Sequence, residues 1–262
     1  MVEDPKIRQS ANQLLLASQS KTPCPPVRSI IGETDQKVAY EVQNLITANR
    51  LQKGFKIIGK KIGLTSEKVQ QQLGVNQPDY GMLFDDMQIP NGGTLSFKKL
   101  MQPKAEAEIA FVLKNQINST NPSMKEVIEA VDYIVGAIEI VGSRIVNWDI
   151  KITDTIADNA SASHFVLGDV KKQLNDIDII GCEMQLFKNN QLVSEGCGSA
   201  CLGSPLVALQ WLAKKMSSLE SPLHPGDIIL SGALGPMVEV QENDNLIATI
   251  DGLGEVNVNF IK

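Results

Sequence analysis

Apolar residues recur along this chain with two different periods, and the change of period divides it. Between residues 4 and 20 the spacing predicts a helix with Leu14, Leu15 and Leu16 on or near one face. PCPPV at 23–27 ends it, because proline lacks the N–H and clashes with the preceding turn. A second helix is predicted over 35–51, where Val38, Val42, Leu45 and Ile46 fall at helical spacing. From residue 56 onward the period shortens. KIIGKKIGL at 56–64 reads as a strand, Ser66 opens a short helix that Gly74 can end, and NQPDYG at 76–81 reads as a turn. Residues 105–114 form a strand. Ser123 and Glu126 make a capping box for a helix through about Tyr133, and the apolar run after it is a further strand. Strands 182–188 and 191–195 can pair through Asn189-Asn190. Ser204-Pro205 starts a helix to about Met216, and the segment from GDIILSG to the C-terminus divides into four short strands. The pattern is a helical N-terminal part on a mostly β body.

Three glutamates disturb this pattern. Glu106 and Glu108 in PKAEAEIAFVL lie two apart on a strand and share a face, about 7 Å apart. Such a pair is also the mark of a solvated face. Glu139 is different: Ile134, Val135, Ala137, Ile138, Ile140 and Val141 surround it, as in a strand buried on both faces. A carboxylate there is costly without a partner. Three converging carboxylates repel unless a cation holds them, and an oxygen-only set suits Mg²⁺ or Mn²⁺ rather than zinc. In GKKIG, Lys60 and Lys61 face opposite sides of a strand, so one of them is turned inward.

Composition narrows the remaining classes. The 262 residues fit one large domain or a main domain with a small appendage. A net charge of −6 without a long basic run argues against nucleic acid and anionic membranes as partners. No apolar stretch reaches the roughly 20 residues that span a bilayer, and MVEDPKIRQS has no signal-peptide core, so a cytoplasmic protein is expected. Cys24, Cys182, Cys197 and Cys201 have no zinc-site spacing and read as free thiols. Neither His164 nor His224 accompanies a nucleophile motif, and no phosphate loop or dinucleotide fingerprint is present.

Five segments occur in order: GKKIGLTSEKVQQQLGVNQPDYGML, QPKAEAEIAFVL, AIEIVGSRI, DTIADNASAS and GDIILSGALGPMV. Together they resemble the 2-keto-4-pentenoate hydratase (2-hydroxypentadienoate hydratase) branch of the fumarylacetoacetate hydrolase superfamily, from about residue 38 to the C-terminus. The resemblance implies an α+β fold: a mixed β-roll or sandwich of that superfamily's C-terminal type, with a smaller helical N-terminal α/β part. The corresponding boundary is 1–70 for the N-terminal part and 71–262 for the catalytic roll. It implies a divalent metal, Mg²⁺ or Mn²⁺, on Glu106, Glu108 and Glu139, and a homo-oligomer.

The resemblance also implies a substrate, a 2-oxo or 2-hydroxydienoate acid from aromatic catabolism that is hydrated to 4-hydroxy-2-oxopentanoate. The motif G-x-K-x-G-L-T selects Lys61 over Lys60 as the proton-moving lysine. Asp79, otherwise a routine turn former after Pro78, becomes a second catalytic candidate. Asn159 and Ser161 are implied as substrate contacts, while Asp154 reads as a loop or capping residue and Arg144 as a structural ion-pair partner. The sister decarboxylases of 2-oxo-3-enedioates (4-oxalocrotonate type) remain an alternative, as does a non-catalytic scaffold for a pathway partner enzyme. Gly232 in GALG reads as a turn former.

Overall fold

A computed structural model of the chain describes residues 4–66, 70–71 and 75–262. Three N-terminal helices come first: α1 (Pro5–Ser20), α2 (Arg28–Ile31) and α3 (Gln36–Gln52). Asp4 caps α1 through the Lys6 amide, with Pro5 at the first position, and Asp35 caps α3 through Val38 N–H. The helix expected from Ser66 to Gly74 lies largely outside the described residues, of which only Ser66 and the helical Gln70-Gln71 fall within it.

Two sheets follow. The larger has the strand order β2 (Asp79–Phe84), β1 (Ile57–Gly63), β10 (Ile228–Ala233), β5 (Lys104–Leu113), β6 (Val131–Val141), β7 (Ala162–Leu167) and β3 (Gln88–Ile89), with β11 (Val238–Glu239) also paired to β5. β1 lies beside β10 in parallel and beside β2 antiparallel, so this strand from before residue 70 is interior to the large sheet. The smaller sheet runs β4 (Thr94–Ser96), β13 (Gly254–Ile261), β12 (Asn245–Ile250), β8 (Glu183–Lys188) and β9 (Gln191–Cys197). The remaining helices are α4 (Met124–Ala130), α5 (Ile152–Ala157) and α6 (Pro205–Ser218).

Strand alternation sorts the large sheet into two kinds of interior. On β5, Ala105, Ala107, Ile109, Phe111 and Leu113 join the main core with the helices and the inner face of the small sheet. The opposite parity forms a separate cluster, with Ala110, Val135, Ala137, Phe165 and Leu230 packed against Leu83 and Phe84 of β2. β2 opens the main strand order and β7 is its last strand but one, so this contact requires the sheet to curl on itself. Asn159, in the 3-10 turn before β7, closes the curl by bonding both backbone groups of Met82.

The structure departs from the sequence pattern at three places. Asp79–Gly81 belong to β2 rather than to a turn. The capping box at Ser123 is present, but its helix stops at Ala130 because Val131–Tyr133 enter β6. The polar segment read as a loop contains α5 and the turn Asn159–Ser161. The Asn189-Asn190 hairpin forms, with both residues at positive φ as a tight primed turn requires.

Candidate metal centre and active site

The curled face of the large sheet is apolar at one end and ionisable at the other. Glu106 stands directly opposite Glu139 in the β5–β6 register, and Glu108 is two residues along on the same face. One carboxylate oxygen from each comes within 4.8 Å of the other two. A register shift in β10 between Leu230 and Ala233 turns the Gly232 N–H toward this group, where it donates to Glu108 Oε2 at 2.8 Å. Gly232 has φ +104, and a Cβ there would lie 2.2 Å from Thr65 Oγ1, so glycine is needed. Its task is to hold a carboxylate, which the sequence pattern did not disclose.

Glu108 Oε1 and both Glu139 carboxylate oxygens are buried without hydrogen-bond partners. Lys61 Nζ lies 3.1 Å from Glu139 Oε2, an ionic contact without hydrogen-bond alignment, and donates to Ala160 O at 3.0 Å. Burial pushes all three carboxyls upward. Glu106 reaches about 7, with Glu139 adding to the rise. Glu108 stands well above the usual range, with Glu139 and Glu106 as further causes. Glu139 is also raised by burial, with Lys61 opposing the rise. For Lys61, burial alone would favour the neutral amine, but Glu139, Asp79, Glu106 and Glu108 outweigh it and keep the ammonium charged. Hard, converging oxygens with unsatisfied lone pairs fit a divalent cation, and Glu106, Glu108 and Glu139 are the residues that would hold it.

Asp79 and Lys61 meet over a glycine. Asp79 is the cross-strand partner of Gly63, two residues beyond Lys61 on the same face of β1. A Cβ on Gly63 would lie 2.2 Å from Asp79 Oδ1 and 3.5 Å from Lys61 Nζ, so its absence lets both groups project over one point. Thr155 Oγ1, on α5, donates to Asp79 Oδ2 at 3.2 Å. Burial raises the Asp79 carboxyl, against the opposing effects of Lys61 and the Thr155 hydroxyl. Lys60 points to the other side, where its Nζ sits 3.4 Å from Asp227 Oδ2.

The turn after α5 forms the wall beside Lys61. Asn159, Ala160 and Ser161 all have left-handed backbone, with φ of 55°, 49° and 56°. Asparagine tolerates this conformation, while alanine and serine each pay about 1–2 kcal/mol. The strained turn presents the Ala160 carbonyl to Lys61. Asn159 uses its amide on Met82, with bonds of 2.7 and 2.9 Å, while the Ser161 hydroxyl is buried with no partner. Arg144 grips Asp158 through its guanidinium and its backbone N–H, a structural pairing. Asp154 accepts from Arg28 and Lys151 and takes no part in the carboxylate cluster. Gly232, Thr155, Gly63 and Ala160 all lie inside the motif segments quoted from the sequence, but the roles of the Gly232 N–H, the Thr155 hydroxyl, the bare Gly63 Cα and the Ala160 carbonyl were not identified there.

Three converging carboxylates that could hold a hard cation, beside a buried lysine, fit an enzyme that polarises small oxygenated acids. The chain belongs to the fumarylacetoacetate hydrolase family: residues 56–261 match the family model described as Fumarylacetoacetate (FAA) hydrolase C-terminal. It is 49% identical over 256 residues to the TodF product hydratase of Pseudomonas putida, covering 98% of this chain and 96% of that protein. It is 47% identical to a 2-keto-4-pentenoate hydratase of Paraburkholderia xenovorans, covering 96% and 94%. Among solved structures, 4-oxalocrotonate decarboxylase from Pseudomonas putida G7, complexed with magnesium and adipate, superposes with a TM-score of 0.95. That match has 31% identity and covers 100% of this chain and 99% of the other.

Proposed function

We propose that this chain is a divalent-metal-dependent 2-keto-4-pentenoate hydratase of aromatic catabolism, which converts 2-hydroxypenta-2,4-dienoate to 4-hydroxy-2-oxopentanoate. The observation that carries the reading is the converging triad of Glu106, Glu108 and Glu139, the last two fully buried, with Lys61 against it. Names among relatives support the hydratase over the decarboxylase: 47–49% identity to the former, 31% to the latter. A cation on the triad supplies a Lewis acid for the carboxylate and 2-oxo groups of the substrate. Mg²⁺ is the ion this reading favours, with Mn²⁺ as its substitute.

The chain's own groups then move protons. Lys61, kept charged by the acids around it, donates the proton that adds at C5 of the dienol and gives the 2-oxo-3-enoate. Asp79, facing it across Gly63, takes up the 2-hydroxyl proton that the dienol loses and returns it to Lys61; it then takes a proton from the water whose hydroxyl adds at C4 and passes it to C3. The unpartnered Ser161 hydroxyl and the Asn159 segment line the substrate side. A cytoplasmic homo-oligomer with an N-terminal part and a catalytic roll completes the proposal, with β1, from before residue 70, in the large sheet of the roll.

Incubation of the enzyme with 2-hydroxypenta-2,4-dienoate tests it. With Mg²⁺ the dienol absorbance is lost and 4-hydroxy-2-oxopentanoate appears by mass spectrometry, and EDTA stops both. The close superposition on the decarboxylase keeps one competitor in play. Release of CO₂ from a 2-oxo-3-enedioate without hydration of the dienoate would move the assignment there. A protein that binds neither Mg²⁺ nor Mn²⁺ and co-purifies with a pathway enzyme would instead be a scaffold.

A further inference from the structure

The N-terminal helices cover a second cleft of about 430 Å³, a volume in the usual range for a small-molecule site. None of the carboxylate triad, Lys61 or Asp79 lines it. Asp158 and Asn159 line it, and Ala160, the next residue in the chain, accepts from Lys61 on the side of the metal centre. Its floor is apolar, built from Leu14 of α1, Phe55, Phe84, Met87 and Met101.

The charge around that floor is one-sided. Lys21, Arg50, Lys53, Lys99 and Arg144 face the cleft, against only Asp86 and Asp158, in a protein whose net charge is −6. Some of this charge is already used. Arg144 is committed to Asp158, Arg50 pairs with Asp86, and Lys21 Nζ donates to Lys99 O at 2.6 Å. Lys53 and Lys99 have no acidic partner among the described residues. Arg50 is fixed in place, its guanidinium 4.7 Å from the Phe55 ring centre and 4.2 Å from that of Phe84, with Nε buried and unpartnered. His164, also in the wall, is lowered to about 4, first by burial and then by Lys99, Lys21 and Arg50. An excess of unpaired cations around aromatic and aliphatic side chains calls for a ligand with a negative end and an apolar body.

We propose that this cleft is a second binding site, separate from the metal centre, for a small aryl or alkenyl carboxylate. The carboxylate meets Lys53 and Lys99, and the apolar body lies along the Phe55 side of the floor. The proposal does not depend on which reaction the metal centre performs.

The test is calorimetric titration of benzoate into the Mg²⁺-loaded full-length enzyme, beside a Lys53→Gln/Lys99→Gln double variant. Neither lysine belongs to the catalytic machinery, so turnover of the variant should be unchanged. Its benzoate affinity should fall about tenfold, as expected for losing two partly exposed charge contacts. Inorganic phosphate, which has the charge without the apolar body, should bind more weakly than benzoate. Four results would overturn the proposal: no binding at millimolar benzoate, as for a cleft covered in an assembled oligomer; equal affinity in the double variant; phosphate binding as tightly as benzoate; or loss of benzoate binding in Glu108→Gln, which would place it at the metal centre.

Discussion

The two ends of the curled face are built by the same strands, yet they are held by opposite chemistry. At one end Ala110, Val135, Ala137 and Leu230 pack on Leu83 and Phe84. At the other, two-residue steps along β5 and β6 lead to Glu106, Glu108 and Glu139, with Lys61 and Asp79 beside them. The apolar end is stabilised by removing surface from water. The ionisable end loses solvation and recovers only part of it from Lys61, Gly232 N–H and Thr155. Burial therefore stabilises the fold in one place and prepares a binding site in the other.

Removing one ligand should break the comparison most sharply. Glu108→Gln or Glu139→Gln should lower turnover by about a thousandfold or more, since the cation contributes several kcal/mol to charge stabilisation. The metal-free variant should stay folded, because a neutral amide relieves repulsion, as circular dichroism would show. Lys61→Met comes next, with a loss of about 10²–10⁴-fold in kcat for a missing proton donor. That variant should still bind Mg²⁺, which calorimetry would distinguish from failure to chelate. At the apolar end the consequence reverses. Leu83→Ala should cost about 2–5 kcal/mol in urea unfolding and leave kcat per folded molecule unchanged.

The pH dependence of stability sharpens the contrast further. Carboxyls raised by burial bind protons more tightly when folded than when unfolded. The metal-free protein should therefore be most stable below the unfolded value near 4.5 and lose that contribution as pH rises through about 7, the Glu106 value. In EDTA, Tm should fall between pH 5 and 7.5, and Mg²⁺ should remove most of that slope. The smallest effect belongs to Thr155→Val. Its hydroxyl favours the ionised form of Asp79, so its loss should move the Asp79 limb of the pH–rate profile upward, with a several-fold change in kcat.

How much of this was legible depended on how local the signal was. Glu139 declared itself because a carboxylate in a run apolar on both sides has few explanations, and the structure places it opposite Glu106. The Asn189-Asn190 hairpin and the caps at Ser123 and Ser204 were readable for the same reason. The contact of Lys61 with Glu139 was not readable from pattern alone. β1 and β6 are separated by β10 and β5, so the meeting depends on a crossover and on the curl of the sheet. Gly232 stayed hidden because its role comes from a register shift, and Thr155 because α5 was read as a loop. Resemblance selected Lys61 and Asp79, and the register of β1 with β2 gives the physical reason they can work together.

The central claim is that buried repulsion among three carboxylates is resolved by a cation. Calorimetric titration of Mg²⁺ into dialysed protein, with Tm read on the same samples, tests it most directly. The account predicts one ion per chain, a rise in Tm that grows with Mg²⁺ concentration, and loss of both in Glu139→Gln. A wild-type protein that takes up no Mg²⁺ or Mn²⁺, or a Glu139→Gln variant that binds as tightly as wild type, would contradict it.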